Sequence, residues 1–157
     1  MRYSSKKRSF FAAAAPARDA AGVASADESR GRGAAAEAPG SVRTFDLVLL
    51  GLGANGHTAS LFPGLSAVHE KERWVVAEHV AEVGQWRMTL TAPVINAAAE
   101  VVFIVTGAEK AVVMRRVIEG RRDVDVTPAQ AIAPEAGGHL RWLVDVAAAG
   151  ELTQVSP

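Results

Sequence analysis

The 157-residue chain contains no cysteine, and this absence excludes disulfide bonds, thiolate catalysis and any cysteine-based metal site. It also carries no net charge, since 17 basic residues balance 17 acidic ones, so nothing favours a nucleic-acid partner. No apolar run approaches the roughly 20 residues of a membrane-spanning helix, so no membrane partner is expected. What is present is the composition of an ordinary globular protein, and the length fits one domain.

The amino-terminal segment 1–43 differs in composition from the rest. Residues 1–18 are basic and free of acids, and the apolar stretch 10–15 gives them a superficial likeness to a targeting peptide. That stretch is short and rich in alanine, so we favour a disordered or aberrant leader and expect a cytoplasmic protein. Residues 11–41 have almost no large apolar side chains and cannot offset their ordering entropy by burial.

From residue 44 to residue 152 the chain alternates between strand and helix patterns, and a short tail follows at 153–157. Continuous apolar runs predict strands buried on both faces, and apolar residues at helical spacing predict helices. The predicted strands are Phe45–Leu50, Trp74–Val80, Trp86–Thr91, Val101–Val105 and Leu140–Val144, and the predicted helices are His57–Phe62, Pro93–Ala99 and Ala108–Glu119. This alternation predicts an α/β fold with a mostly parallel sheet flanked by helices, Rossmann-like and three-layered.

The segment after the first predicted strand, residues 51–64, is GLGANGHTASLFPG. Its glycines let a ligand approach bare backbone, and His57 adds a titratable imidazole at the carboxyl end of a buried strand. The glycine spacing also matches the dinucleotide-binding pattern. That site needs a long helix after the third glycine and an acid at the end of the next strand, whereas Pro63 stops any helix early and no such acid follows. We therefore expect no nucleotide cofactor.

The whole string resembles the signature of the 6-phosphogluconolactonases, Gly-x-Gly-x-Asp-Gly-His-Thr-Ala-Ser-Leu-Phe-Pro-Gly. Arg87–Thr91, Val105–Ala111 and Trp142–Asp145 are similar to further segments of that family, and the resemblance holds in register over residues 44–152. The related glucosamine-6-phosphate deaminases share the Gly-His pair but continue with Phe-Asn-Glu-Pro. Here Ser60–Pro63 carries no acid, which favours the lactonase branch.

The resemblance implies hydrolysis of 6-phosphoglucono-1,5-lactone to 6-phosphogluconate in the oxidative pentose phosphate pathway, without a metal or another cofactor. It also implies that His57 is the general base, and an imidazole suits this role because it titrates near neutral pH. The backbone amides of the loop from Gly53 to Gly56 are candidate donors to the oxyanion or the substrate, with a plain tight turn as the alternative. Asn55 stands where the family usually has aspartate, so we expect a weaker base.

Two cations are candidates for holding the phosphate of the sugar-phosphate lactone. Lys110 lies in the first turn of the helix predicted at Ala108–Glu119, where a cation beside free amides favours a dianion. Arg87, on the third predicted strand, is the second candidate, and for both residues the alternative is a side chain that faces solvent. The remaining histidines fit no metal-ligand spacing and are interpreted as surface or core residues: His69, His79 and His139.

The resemblance further implies an amino-terminal half-sheet with a Gly-Gly-Ser/Thr phosphate loop and an Asp-Glu-Arg segment. Neither string occurs in residues 1–43, so the predicted domain lacks the family's amino-terminal half. We therefore expect the strand Phe45–Leu50 to lack neighbours, and its apolar edges would invite association. This leaves a second hypothesis beside the enzyme, a truncated and catalytically incompetent fragment of it. The sequence does not indicate an oligomeric state.

Overall fold

A computed structural model of the chain describes residues 10–11, 45–134 and 137–153. Within these ranges the chain forms six strands and two α-helices, joined by short 3-10 turns. The strands are β1 (Phe10–Phe11), β2 (Val48–Leu50), β3 (Val75–Val80), β4 (Gln85–Leu90), β5 (Glu100–Val105) and β6 (His139–Val144). The helices are α1 (Ala92–Asn96) and α2 (Ala111–Glu119), and the 3-10 turns are Ser66–His69, Ala81–Val83, Ala108–Lys110 and Pro128–Ala131.

Four of the strands form a parallel sheet in the order β1-β2-β5-β6. Leu50 lies opposite Phe103 in the register of β2 and β5, so both strands end at the same edge of the sheet. The segments that follow them therefore meet at that edge, which is where open parallel sheets bind ligands. The predicted α/β class with a mostly parallel sheet is confirmed.

The other two strands, β3 and β4, form a separate antiparallel hairpin. Its connection is the 3-10 turn Ala81–Val83, and Gly84 closes that turn in the left-handed conformation with φ of 63°. So short a connection can only join antiparallel strands, because a parallel pair needs a long crossover. The hairpin carries two charged residues that matter below, Glu82 in the turn and Arg87 on β4.

One face of the parallel sheet forms the core. Val48, Leu50, Val101, Phe103 and Val105 are buried there and pack with side chains of α2 and of the segment after β2. The Trp142 ring stacks on Phe103 with ring centroids 4.0 Å apart. This packing anchors the carboxyl ends of β2 and β5, and with them the start of the segments that they lead into.

Several predicted elements need correction. The helix predicted at His57–Phe62 is a turn, with a bridge between Thr58 and Leu61 and a positive φ of 50° at Ala59, a conformation outside the right-handed helix. The Thr58 hydroxyl donates to the Gly51 carbonyl (2.9 Å), which ties the turn back to the preceding strand end. The helix predicted over 108–119 begins instead as the 3-10 turn Ala108–Lys110 and becomes α-helical at residue 111.

The strand predicted at Phe45–Leu50 is shorter than expected and has neighbours on both sides. β2 begins at Val48, and it pairs with β5 on one side and with β1 on the other. The expectation that this strand lacks neighbours is therefore wrong for the described residues. The rest of the predicted leader lies outside the residues that the structure describes, so the boundary at residue 43 stays a prediction.

Candidate active site

The glycine loop, residues 51–56, folds back on itself directly after β2. The Gly53 N–H donates to the His57 carbonyl (2.8 Å), and the Gly56 N–H donates to the Gly53 carbonyl (2.9 Å). Both amides are therefore already hydrogen-bonded within the loop. The wider expectation, that the amides of residues 53–56 are offered to an oxyanion or the substrate, stays a prediction. The geometry favours the alternative, in which these glycines make a tight turn.

The two glycines are needed for close approach. A Cβ on Gly53 would overlap the Nδ1 atom of His57, because the imidazole lies directly against the loop backbone. Gly56 has a φ of 90°, and a Cβ there would lie 3.2 Å from the Cα of Thr127. The glycines thus position the histidine and seat the loop on the segment before the 3-10 turn Pro128–Ala131.

His57 is held from two sides. Its Nδ1 lies 2.6 Å from Oδ1 of Asn55, and its backbone N–H donates to the same oxygen at 3.1 Å. Phe62 stacks on the imidazole, with ring centroids 4.2 Å apart and an interplanar angle of 19°. Phe62 is itself buried, so the plane of the histidine ring is set by packing as well as by hydrogen bonding.

The amide of Asn55 also reaches the hairpin. Its Nδ2 donates to Oε2 of Glu82 at 2.7 Å, across a sequence separation of 27 residues. Asn55 therefore links the tip of the hairpin to the histidine. Sequence reasoning missed Glu82, because it lies in an exposed turn and no motif surrounds it.

Charges from three elements act on the imidazole. Burial lowers the pKa of His57 below its usual 6.5, Glu82 opposes this, and Lys110 and Arg87 lower the pKa further. The imidazole is therefore neutral at neutral pH, as a general base must be. Arg87, Lys110 and Glu82 are therefore near enough to affect the pKa of His57, with Glu82 and Arg87 on one hairpin and Lys110 at the start of α2.

Arg87 on β4 is half-buried and faces Glu78 across the hairpin. The Glu78 carboxylate is already engaged, since it accepts from the Ser66 amide (2.9 Å), the Ser66 hydroxyl (2.8 Å) and the Ala67 amide (3.1 Å). Arg87 Nε is buried and has no hydrogen-bond partner among the described residues. A buried guanidinium N–H without an acceptor is costly, and an anion would satisfy it.

Lys110 ends the 3-10 turn Ala108–Lys110 and is the N-cap of α2. The turn begins at Gly107, which has a φ of 99° and whose N–H donates to the Asp145 carboxylate at 3.1 Å. The Lys110 side chain is half-buried and forms no ion pair within the described part of the chain. The helix amino terminus adds positive potential here, so Lys110 can attract a phosphate dianion.

The other histidines lie outside this arrangement. His69 is exposed and pairs with Asp125 (2.7 Å), and His79 is exposed and meets Trp86 edge to face. Within residues 45–134 and 137–153, no group of three or more His, Asp and Glu side chains could hold a metal ion. Neither helix of these ranges is long and apolar enough to cross a membrane. The cytoplasmic location stays a prediction.

Solved structures with this fold include 6-phosphogluconolactonases. The enzyme from Trypanosoma brucei superposes with a TM-score of 0.68 at 32% identity, over 88% of this chain and 57% of that one. The enzyme from Leishmania guyanensis gives a TM-score of 0.60 at 32% identity, over 71% of this chain and 42% of that one. The class is therefore that of α/β proteins with a phosphogluconolactonase fold.

The family follows from the sequence comparisons. The family model described as glucosamine-6-phosphate isomerases/6-phosphogluconolactonase matches residues 3–142. A 6-phosphogluconolactonase of Nostoc is 40% identical over 116 residues, which are 74% of this chain and 47% of that protein. The rat 6-phosphogluconolactonase is 42% identical over 115 residues, 69% of this chain and 42% of that protein. The chain belongs to this family, and it spans about half the length of the relatives that it matches.

Proposed function

We propose that this protein hydrolyses 6-phosphoglucono-1,5-lactone to 6-phosphogluconate, the lactonase step of the oxidative pentose phosphate pathway, with His57 as the general base. The observation that carries the proposal is the short hydrogen bond between His57 Nδ1 and Asn55 Oδ1 (2.6 Å). An amide oxygen only accepts, so Nδ1 carries the proton and Nε2 keeps a lone pair for a water proton. The choice of substrate rests on the relatives, which are named 6-phosphogluconolactonase.

In the proposed reaction, His57 Nε2 removes a proton from water while the water oxygen attacks the lactone carbonyl. The tetrahedral intermediate then expels the ring oxygen, which takes the proton from the imidazolium, and the ring opens to the carboxylic acid. This acid releases its proton to solvent and becomes the carboxylate. Because its pKa is lowered, the His57 imidazole is unprotonated at neutral pH. It returns to this unprotonated form when it gives its proton to the ring oxygen. Activity should therefore fall as the pH drops through a value below 6.5, where His57 becomes charged.

Arg87 and Lys110 are the proposed phosphate-binding residues. Arg87 has a buried Nε–H without a partner in the described residues, and Lys110 stands at the amino terminus of α2 without an ion pair there. Both charges act on His57, so a phosphate bound between them would hold the lactone near the base. Binding of the distal phosphate fixes the position of the lactone carbonyl relative to His57 and its water. This fixed orientation lowers the activation barrier of hydrolysis.

The test is lactone hydrolysis by the purified chain near neutral pH, measured against the spontaneous rate. We expect hydrolysis above that rate, and His57→Ala should lower kcat by about 10²- to 10⁴-fold, the usual contribution of a general base. His69→Ala is the control, since His69 is exposed and pairs only with Asp125 among the contacts described above. A wild-type chain that never exceeds the spontaneous rate would instead support the incompetent-fragment hypothesis.

A further inference from the structure

We propose that Glu82 is a positioning residue for His57, which acts through the amide of Asn55 to hold the imidazole in the tautomer with a free Nε2. The inference rests on the proposed role of His57 as a base. Glu82 does not touch the reacting atoms. Its carboxylate contacts Asn55 Nδ2 (2.7 Å), and Asn55 Oδ1 contacts His57 Nδ1 (2.6 Å).

The orientation of the Asn55 amide follows from two hydrogen-bond partners, one that can only accept and one that can only donate. A carboxylate only accepts hydrogen bonds, so the amide nitrogen must face Glu82. A backbone N–H only donates, so the amide oxygen must face the His57 backbone (3.1 Å). Both constraints select the same orientation of Asn55. The oxygen beside Nδ1 then requires a proton on Nδ1, and the lone pair stays on Nε2.

A flipped Asn55 would have the opposite effect. It would present its NH2 group to Nδ1, which would have to accept, and the proton would move to Nε2. In that tautomer, His57 could not take a proton from water at Nε2. Glu82 disfavours the flip because a flipped amide would set its oxygen against the carboxylate. The His57 backbone N–H opposes the same flip, so loss of Glu82 should weaken the base rather than abolish it.

Glu82 also supplies negative charge at the base. The groups that act on the His57 pKa in the described residues are Glu82, Lys110 and Arg87, and Glu82 is the one anion among them. Burial and the two cations favour the neutral imidazole, whereas the imidazolium that forms during catalysis needs an anion nearby. Asn55 is neutral and lies between the imidazole and Glu82. Glu82 therefore provides the negative charge from behind Asn55.

The fold places Glu82 by means of the hairpin turn. The turn Ala81–Val83 is closed by Gly84, whose N–H donates to the Ala81 carbonyl at 3.1 Å and whose φ is positive. A glycine suits that conformation, because other residues are strained there. Strand β4, which leaves this turn, carries Arg87. One hairpin therefore delivers both the positioning carboxylate and a proposed phosphate-binding cation.

The experiment measures the imidazole directly in the full chain. Long-range ¹H–¹⁵N NMR spectra of the histidines report the tautomer and the pKa of His57 and do not require activity. We expect the Nδ1–H tautomer in the wild type. Glu82→Ala should shift part of the population to Nε2–H and lower kcat by about 3- to 10-fold with little change in KM, as expected for the loss of one orienting hydrogen bond.

Two further variants separate charge from hydrogen bonding. Glu82→Gln can still accept from Asn55, so the tautomer should persist, while the pKa of His57 should fall because the charge that raises it is gone. Asn55→Asp with Glu82→Gln moves the negative charge next to the ring, and the pKa of His57 should rise again. Glu72→Gln is the control, because it makes the same charge change on an exposed residue outside the site.

The outcomes distinguish this inference from the proposed function. A wild-type chain with the Nδ1–H tautomer, a Glu82-dependent pKa and no lactonase activity would reject the function and support the positioning role. An active wild type whose tautomer, pKa and kcat do not respond to Glu82→Ala would overturn the positioning role and leave the function standing. A predominant Nε2–H tautomer in the wild type would also overturn it.

Discussion

The candidate site has a base side, formed by His57, Asn55 and Glu82, and a cation side, formed by Arg87 and Lys110. The two sides differ in how many of their polar groups already have hydrogen-bond partners. On the base side, both polar atoms of the Asn55 side chain have partners, and His57 is fixed by Asn55 and Phe62. On the cation side, Arg87 Nε is buried without a partner and Lys110 forms no ion pair, as far as the described residues extend. Folding alone thus satisfies the hydrogen bonds of the base side, whereas on the cation side the Nε–H of Arg87 has no partner among the described residues.

This difference fits the demands of the two tasks. A base must hold one proton arrangement before the substrate arrives, because reorganisation during the reaction raises the barrier. A phosphate-binding pair must instead keep its donors available, and a buried guanidinium N–H without an acceptor costs free energy of folding. Changes on the base side should therefore act mainly on kcat, and changes on the cation side mainly on KM and on ligand-dependent stability.

Among the changes that leave His57 itself in place, Gly53→Ala should have the largest effect. Its Cβ would overlap His57 Nδ1, so the imidazole must leave Asn55, and a displacement of about 1 Å is enough to lower kcat by roughly 10²-fold. The measurement is kcat for lactone hydrolysis, with circular dichroism to confirm the fold. Gly51→Ala is the matched control, since no atom lies within 4 Å of its added Cβ. Equal activity of the two variants would contradict the role given to Gly53.

Removing a cation should have the next largest effect. Arg87→Ala or Lys110→Ala each deletes a charge-assisted bond to the proposed phosphate, so kcat/KM should fall by about 10- to 100-fold, mostly through KM. Initial rates over a range of lactone concentrations separate the two constants. Arg115→Ala is the control, because Arg115 is an exposed cation on α2 that pairs with Glu119 (3.5 Å). A fall in kcat at constant KM would assign the residue to the base side instead.

Motifs predicted one part of this arrangement and missed another. His57, Asn55 and Lys110 belong to local strings, so the sequence was enough to propose them, and Arg87 followed from its strand. The link from Asn55 to Glu82 depends on how the hairpin tip meets the glycine loop, across 27 residues, and no local pattern encodes that contact. The helix expected at His57–Phe62 was wrong because Ala59 adopts a positive φ that apolar spacing does not predict.

The sequence likewise predicted some elements of the fold and missed others. Continuous apolar runs predicted β2 and β5 at the centre of a parallel sheet, because strands covered on both faces have little polar alternation. The pairing of β1 with β2 could not be predicted, since two residues in an alanine-rich, basic segment carry no strand pattern. Likewise, the amides of Gly53 and Gly56 looked available in the sequence, and only the three-dimensional turn shows that they bond within the loop.

Addition of inorganic phosphate should have the smallest of the three effects. It offers the anion that the cation side lacks, so millimolar phosphate should raise Tm by about 2–4 °C, a shift typical of modest ligand binding to the folded state. Thermal unfolding with phosphate or with chloride at equal ionic strength measures it. Arg87→Ala and Lys110→Ala should lose the increment, while Glu82→Gln should keep it because the base side is complete without phosphate. A phosphate-dependent gain that survives both cation variants would show that the anion binds elsewhere.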